Sequence, residues 1–244
     1  MKVALVTGAS GTIGRAIAQT LAAEGWTLAL HYNRGEEAAR ELARSLHTQG
    51  QRAEIFAADL RNQAAILQMV LNIREQLGPI TALINNAGVA RDALLHKMEL
   101  AQWQEVLDVH LNAAYFLCQQ VLPDMISGNF GRIINIASIV GQQGRRGQAN
   151  YAAAKAALFA LTKSLALETA QYQISVNAIC PPFVLSEMSQ AAYERYKERI
   201  LSSIPRGFPG QGQDVASLTA FLCRPENGYI TGQIFNADCR PTTW

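Results

Sequence analysis

The sequence predicts an α/β fold: a doubly wound parallel sheet covered by helices on both faces. Three observations predict it. Short apolar runs alternate with helical segments along the whole chain, the first run leads into a glycine-rich turn, and neither a linker nor an internal repeat divides the 244 residues. Repeated strand–helix units of this kind give parallel neighbours, because each crossover returns the chain to the same end of the sheet. A chain of this length is expected to form one domain, 1–244, and to bury roughly 70–75% of its unfolded surface.

Each element follows in order. Val3-Ala4-Leu5-Val6 is apolar throughout, the mark of a strand buried on both faces. The turn spans Thr7 to Gly14, and Arg15 to Leu21 reads as a helix. Thr27 to Tyr32 is the second strand, and Glu36 to His47 a helix ending near Gly50. Ala53 to Ala58 is the third strand, and Asn62, a good N-cap residue, opens a helix that runs to Leu77. Ile80 to Ile84 is the fourth strand, two long helices fill 99–127, and Arg132 to Ala137 is the fifth strand. A helix over about 150–170 precedes the sixth strand, Ile174 to Ala178. Residues 181–212 hold four prolines (Pro181, Pro182, Pro205 and Pro209) and several glycines, and read as an irregular insert with short helices. Long insertions in compact domains tend to be functional lids. A helix from Gln213 to Cys223 and a strand from Gly232 to Ala237 close the chain.

Composition excludes several classes. A formal charge of +2 without a basic cluster argues against nucleic acid. No apolar run approaches the ~20 residues needed to span a bilayer, and the start, Met-Lys-Val-Ala-Leu-Val, lacks a signal-peptide cleavage pattern. Cys118, Cys180, Cys223 and Cys239 are scattered without a CxxC, so neither a metal site nor a disulfide framework is expected. His31, His47, His96 and His110 have no ligand spacing and read as core or surface histidines. The expected compartment is the cytoplasm.

Two constellations carry chemistry. Strand, glycine-rich turn and helix N-terminus over residues 3–21 make a Rossmann-type diphosphate cradle: the turn lets backbone approach a ligand, and the helix end presents free N–H groups. Farther on, Tyr151 and Lys155 stand four residues apart in a stretch without Gly or Pro, so they share one helix face. An ammonium beside a phenol favours the phenolate and lowers the tyrosine pKa from ~10 toward working pH. A proton donor of that kind suits carbonyl reduction, where hydride reaches carbon and the oxygen must be protonated. Taken alone, a Tyr and a Lys at helical spacing coincide often. Ser138, thirteen residues before the tyrosine, and the cradle give the pair its weight.

Thr7-Gly8…Gly14, Asn85-Asn86-Ala87-Gly88, Asn112, Ser138, Tyr151 and Lys155 together resemble, in order and spacing, the short-chain dehydrogenase/reductase family. The resemblance covers essentially the whole chain. It is greatest to the 3-oxoacyl-[acyl-carrier-protein] reductases, through Gly88-Val89-Ala90-Arg91-Asp92-Ala93-Leu94-Leu95, Gly147 to Lys155 and Ile174-Ser175-Val176-Asn177. It implies that Tyr151 protonates the substrate oxygen and that Ser138 orients it. Lys155 is implied to hold the nicotinamide ribose and lower the Tyr151 pKa, and Asn112 to anchor a water that relays protons to Lys155. It places the cofactor against Gly8, Ser10, Gly11, Thr12, Ile13, Gly14, Asn33, Arg34, Asp59, Leu60, Asn86, Ala87, Gly88, Tyr151, Lys155, Pro181, Val184 and Ser186. Within that set, Asp59 is implied to accept from the adenine amino group and Ser186 to lie near the carboxamide.

The coenzyme's identity turns on the end of the second strand. An acid there would hold a ribose 2′-OH and repel a 2′-phosphate. Asn33-Arg34 stands in its place, and a guanidinium can pair with phosphate bidentately, so NADPH/NADP+ is expected. Four features depart from the family pattern. Thr12 replaces a usual glycine, with Gly8, Gly11 and Gly14 keeping a GxxGxxG spacing. Pro181-Pro182 carries proline where glycine is typical. Asn236-Ala237-Asp238-Cys239-Arg240 replaces a Gly-Gly segment often found at subunit contacts. Asn129 and Tyr172 stand where carrier-binding members have arginine, leaving Arg132, Arg145 and Arg146 as substitutes.

The expected function is reduction of a 3-oxoacyl thioester, linked to acyl-carrier protein or coenzyme A, in fatty-acid or polyketide-type synthesis. The alternatives are a reductase or dehydrogenase of a small free ketone or alcohol and, in another class, a catalytically weak nucleotide-binding subunit. The helices over 151–167 and 111–122 are apolar nearly all round, which requires a second buried face. A homotetramer or dimer would supply it.

Overall fold

The computed structural model describes residues 2–240. Seven strands form one parallel sheet: β1 (Val3–Val6), β2 (Thr27–Tyr32), β3 (Ala53–Ala57), β4 (Ala82–Asn85), β5 (Gly131–Ile136), β6 (Ile174–Cys180) and β7 (Ile234–Asn236). Their order is β3-β2-β1-β4-β5-β6-β7. The chain therefore builds outward from β1 in one direction, then reverses and continues from β4 in the other. Ligands of such sheets lie beyond the carboxyl ends of the strands at that reversal, because the crossovers there leave in opposite directions and open a crevice.

Side-chain alternation explains why the sheet is covered twice. Val3 and Leu5 point to one face and pack with Ile66, Met69 and Val70 of α3 (Gln63–Leu77) and Leu117 and Val121 of α5 (Ala113–Ser127). Ala4 and Val6 point to the other face, toward Ile17 and Leu21 of α1 (Thr12–Ala23) and Leu42 and Leu46 of α2 (Glu36–Thr48). Against α1 lies α9 (Gly212–Cys223), brought close by Gly212: a Cβ there would come within 2.9 Å of the Thr12 carbonyl oxygen and 3.0 Å of Ala16 Cβ.

Most expected elements stand within a residue or two of their place, and the differences have local causes. Helix α1 begins at Thr12 rather than Arg15, so Gly14 sits in its first turn. Asn62 caps α3 as expected, its side chain accepting from Ala64 N at 2.9 Å and Ala65 N at 3.2 Å. The stretch 99–127 is α4 (Leu100–Leu107), a π-helical turn (Asp108–Asn112) and α5, not two long helices. Such turns insert one residue into the helical ladder and rotate the side chains that follow. After β5 come a short helix, α6 (Val140–Gln143), and α7 (Ala149–Glu168). The expected irregular insert contains α8 (Glu187–Ser202), whose backbone breaks at Tyr196, φ −130° and ψ 27°. Pro182 packs over Gly210, where a Cβ would meet Pro182 Cγ at 2.3 Å, and a β-bridge joins Val184 to Gly210.

Arg132 requires a correction. Its guanidinium is buried rather than offered to an acidic carrier: it donates to the carbonyls of Gly131 (2.7 Å), Gln173 (2.9 Å) and Pro225 (3.1 Å), and stacks on Phe130 at 4.5 Å. Asn129 is a turn residue at φ 47°, a left-handed conformation that asparagine tolerates, and its Oδ1 accepts from Gln173 N.

His31 ties the first three strands together at their carboxyl ends. Gly8 N–H donates to His31 Nδ1 at 3.0 Å, so the ring proton lies on Nε2, which donates to Ala58 O at 3.0 Å. Burial pushes its pKa down to about 4, against the opposing pull of the Ala58 carbonyl and the Asp59 charge. The unfolded chain thus binds a proton near pH ~6.5 that the folded chain refuses until about 4. Stability from this site is complete above pH ~6.5 and is lost as pH falls toward 4, by roughly 3 kcal/mol. Urea unfolding of wild type and His31→Gln between those limits is expected to give a shallower pH dependence in the variant. Equal slopes would refute the assignment.

Candidate active site

Because all seven strands are parallel, the loops after β1, β4, β5 and β6 meet along one edge of the sheet. The loop after β1 is built by glycines with different tasks. Gly8 adopts φ +63°, a conformation L side chains rarely hold. A Cβ on Gly14 would stand 2.3 Å from Gly8 O and 2.8 Å from Asn86 Nδ2, so only glycine lets the helix close on the turn. Gly11 caps α1 without a side-chain hydrogen bond, leaving the first-turn N–H groups to an anionic ligand. These features fit a dinucleotide diphosphate.

Asparagines and a threonine lock that turn to β4. Thr7 Oγ1 donates to Ile84 O (3.1 Å) and accepts from Asn86 N (2.9 Å) and Ala87 N (3.0 Å). Asn86 Nδ2 returns bonds to Thr7 O (2.9 Å) and Gly8 O (3.2 Å). Asn86 is therefore used as a brace between loops. Gly88 makes room for a ring, since a Cβ there would lie 2.5 Å from His110 Cε1.

Around the turn, Ser10 packs beneath Gly35, whose Cβ would meet Ser10 Oγ at 2.9 Å, while Asn33 and Arg34 stand exposed at the end of β2. Asp59 is gripped by Arg61, with contacts of 2.9 Å and 2.6 Å, and that hydrogen bonding holds its pKa down to about 2. Leu60 is buried, and Ser186 caps α8. Thr12 and Ile13 lie in the first turn of α1, and Pro181 and Val184 open the segment after β6.

Ser138, Tyr151 and Lys155 come together at the centre. Ser138 follows β5 and stands beside the Tyr151 phenol, whose pKa it draws down. Burial acts more strongly and leaves the Tyr151 pKa above its ordinary value. Lys155 is buried, donates from Nζ to Ile136 O at 2.5 Å, and lies 5.6 Å from the Tyr151 ring centroid. Desolvation pushes its pKa down to about 7. Lys155, brought near neutrality by its own burial, thus stands beside a phenol whose desolvation outweighs the help of Ser138.

A buried hydrogen-bond chain fixes the pose of α7. Thr162 Oγ1 donates to Leu158 O (2.7 Å), so it accepts from Asn135 Nδ2 (2.9 Å), whose Oδ1 in turn accepts from Asn85 Nδ2 (2.8 Å). The segments 91–93 and 147–150 form the rim, joined by Ala93 N to Gly147 O (2.9 Å), Gln148 to Asp92 (2.8 Å) and Asn150 to Arg91 O (3.0 Å). Arg145 and Arg146 are exposed on that rim.

Asn112 lies at the end of the π-helical turn, and its amide donates to Asp108 Oδ1 at 2.7 Å. The same turn brings in His110, which is buried and meets the Tyr151 ring edge-to-face at 5.1 Å. Its pKa is pushed down to about 3, first by burial and then by the Lys155 charge. Sequence reasoning left His110 among unassigned histidines. Its signal was an ionisable ring between Val109 and Leu111 in a stretch expected to be apolar.

Among the described residues, no helix is long and apolar enough to cross a membrane, and no cluster of His, Cys, Asp or Glu could hold a metal ion. The family model for short chain dehydrogenases matches residues 2–197. The 3-oxoacyl-[acyl-carrier-protein] reductase FabG of Staphylococcus aureus is 39% identical over 237 residues, covering 97% of this chain and 96% of that protein. The acetoacetyl-CoA reductase of Rhizobium meliloti is 40% identical over 238 residues, covering 97% of each. A Beutenbergia cavernae structure, assigned as an NAD(P)-dependent gluconate 5-dehydrogenase with NADP bound at low occupancy, superposes with a TM-score of 0.91. It is 32% identical, over 97% of this chain and 95% of that one. With its sheet order, glycine turn and Ser138–Tyr151–Lys155 cluster, the chain belongs to the short chain dehydrogenase family.

Proposed function

We propose that this oxidoreductase is an NADPH-dependent ketoreductase that converts a 3-oxoacyl thioester to the 3-hydroxyacyl thioester, as one domain with residues 181–212 as its lid. The observation that carries the reading is the convergence of Ser138, Tyr151 and Lys155 beside the glycine turn. The names of the relatives from Staphylococcus aureus and Rhizobium meliloti support the acyl thioester, carried by acyl-carrier protein or coenzyme A. Bound NADP in the Beutenbergia cavernae protein supports the coenzyme. One observation favours a small free ketone or alcohol instead: Arg132 is buried and Asn129 serves a turn, so neither is offered to a carrier.

NADPH, when bound, supplies hydride. Gly8, Ser10, Gly11 and the first turn of α1 would hold its diphosphate, and Arg34 its 2′-phosphate. Tyr151 gives its proton to the substrate oxygen while Ser138 hydrogen-bonds that oxygen and fixes its direction. Lys155, on the same helix, restores the tyrosine proton from its ammonium form. The rate of reduction is therefore expected to fall as pH rises through the Lys155 pKa.

NADPH and NADH oxidation with acetoacetyl-coenzyme A and with an acyl-carrier-linked substrate tests the substrate class, and no turnover of either would exclude it. Tyr151→Phe is expected to lower kcat by about 10²-fold or more with the fold intact. Near-normal activity would sink the mechanism. Arg34→Ala is expected to raise KM for NADPH much more than for NADH, and equal effects on both would remove Arg34 from the 2′-phosphate. The apolar outer surface, including Tyr115 and Leu167, supports assembly of two or four copies. Light scattering that gave 26.6 kDa over a wide concentration range would exclude it.

A further inference from the structure

Two successive N–H groups of the glycine turn end on one residue of the neighbouring strand. Ala9 N donates to the backbone carbonyl of His31 at 2.9 Å, and Gly8 N donates to Nδ1 of its ring at 3.0 Å. The opposite ring nitrogen, Nε2, donates to Ala58 O at 3.0 Å. Strand β2 lies between β1 and β3, so this ring, 2% exposed, spans from the turn to the segment that follows β3. Asp59 comes directly after Ala58.

Asn86 grips the same two peptide groups from the other side. The Thr7–Gly8 peptide has its oxygen held by Asn86 Nδ2 (2.9 Å) and its N–H by the His31 ring. The Gly8–Ala9 peptide has its oxygen held by Asn86 Nδ2 (3.2 Å) and its N–H by the His31 carbonyl. Such a double grip answers a need. Gly8 stands at φ +63°, one of several regions open to glycine, so its own geometry does not select that conformation. Without the ring bond the Thr7–Gly8 peptide would be tied at its oxygen alone. A backbone N–H shut away from water rarely stays unpaired, so the turn would tilt to find it a partner. A ligand of the turn would then have to restore the original geometry. A turn that holds its binding geometry only a tenth of the time binds about tenfold more weakly.

We propose, on the reading that this turn seats the coenzyme's diphosphate, that His31 is a positioning residue for NADP(H). Through Gly8 it sets the turn in its coenzyme-binding geometry before the coenzyme arrives. The Ala58 bond serves that contact: a ring whose proton goes to a carbonyl at Nε2 keeps Nδ1 bare to accept.

Two substitutions separate the ends of the ring. In His31→Asn the side-chain oxygen takes the place of Nδ1 and keeps the bond from Gly8, while Ala58 O loses its donor. In His31→Gln the side-chain nitrogen takes the place of Nε2 and keeps Ala58, while Gly8 N–H loses its acceptor. Each variant loses one buried hydrogen bond, so a purely structural role would weaken both alike. Calorimetric titration at pH 8 uses NADP+ and 2′-phospho-ADP-ribose, the coenzyme without its nicotinamide. Expected for both probes is a Kd raised about tenfold in His31→Gln and within about twofold of wild type in His31→Asn. Equal weakening in the two variants, or wild-type affinity in both, overturns the proposal. Should either variant fail to fold, crystal structures of the free and NADP+-bound wild type decide. Gly8 N within about 3.2 Å of His31 Nδ1 in both supports the role, and a ring turned away from Gly8 in either refutes it. Wild type that binds neither probe would remove the reading of the turn as a coenzyme seat, and the proposal with it. Firm wild-type binding with indistinguishable variants would refute the role of His31 alone.

Discussion

The site depends on one buried run of side-chain hydrogen bonds, from Asn85 on β4 through Asn135 on β5 to Thr162 on α7. All three residues are shut away from solvent, and each bond is directed by the last acceptor, the Leu158 carbonyl. In a region of low dielectric such a chain is costly to leave incomplete, so it selects one rotation and one height for α7 against the sheet. Apolar packing alone would tolerate a helix slid or turned by a fraction of a residue. Tyr151 and Lys155 project from that helix, and their position over the carboxyl ends of β5 and β6 follows from the same bonds. The hydrophobic core holds the layers together, and the polar chain fixes their register.

The glycine turn is constrained in a similar way from two sides. Asn86 and Thr7 sew it to β4, while His31 joins it through Gly8 N–H to the end of β3. A cofactor cradle must present backbone N–H groups at fixed positions without using them elsewhere. Here the turn is held from below by side chains, so its upper surface and the first turn of α1 remain for the ligand.

Much of this was legible in the sequence, and for a physical reason. Strands buried on both faces show continuous apolar runs, so β1 was recognisable from four residues. Asn62 carried its cap in its side chain, and the glycines and the Tyr151–Lys155 spacing carried their geometry in local sequence. What escaped reading depended on long-range placement. Arg132 reads as a surface charge, but it is buried because the carbonyls of Gln173 and Pro225, far along the chain, converge on it. His110 and Asn112 differ by two positions in a segment whose helical period changes at the π-helical turn, and no local pattern marks which of them faces Tyr151. The 181–212 segment looked irregular because its prolines and glycines serve a contact, Pro182 over Gly210, that only the fold creates.

The ionisation of the site bears on its direction of working. Desolvation is the largest cause at three groups of the site: it raises Tyr151, lowers Lys155 to about 7 and lowers His110 to about 3. Each shift favours the neutral form. Oxidation of an alcohol through Tyr151 would need the phenolate as a base, and burial opposes that form. Reduction of a ketone needs the phenol with its proton in place, and burial preserves it. Lys155, poised near neutrality rather than at its ordinary ~10.4, gives up a proton to a transient phenolate more readily than a fully solvated lysine would. A weak acid backed by an easily discharged ammonium is suited to protonating an oxygen as it becomes an alkoxide. For the proposed reduction, burial thus keeps the phenol proton in place at neutral pH.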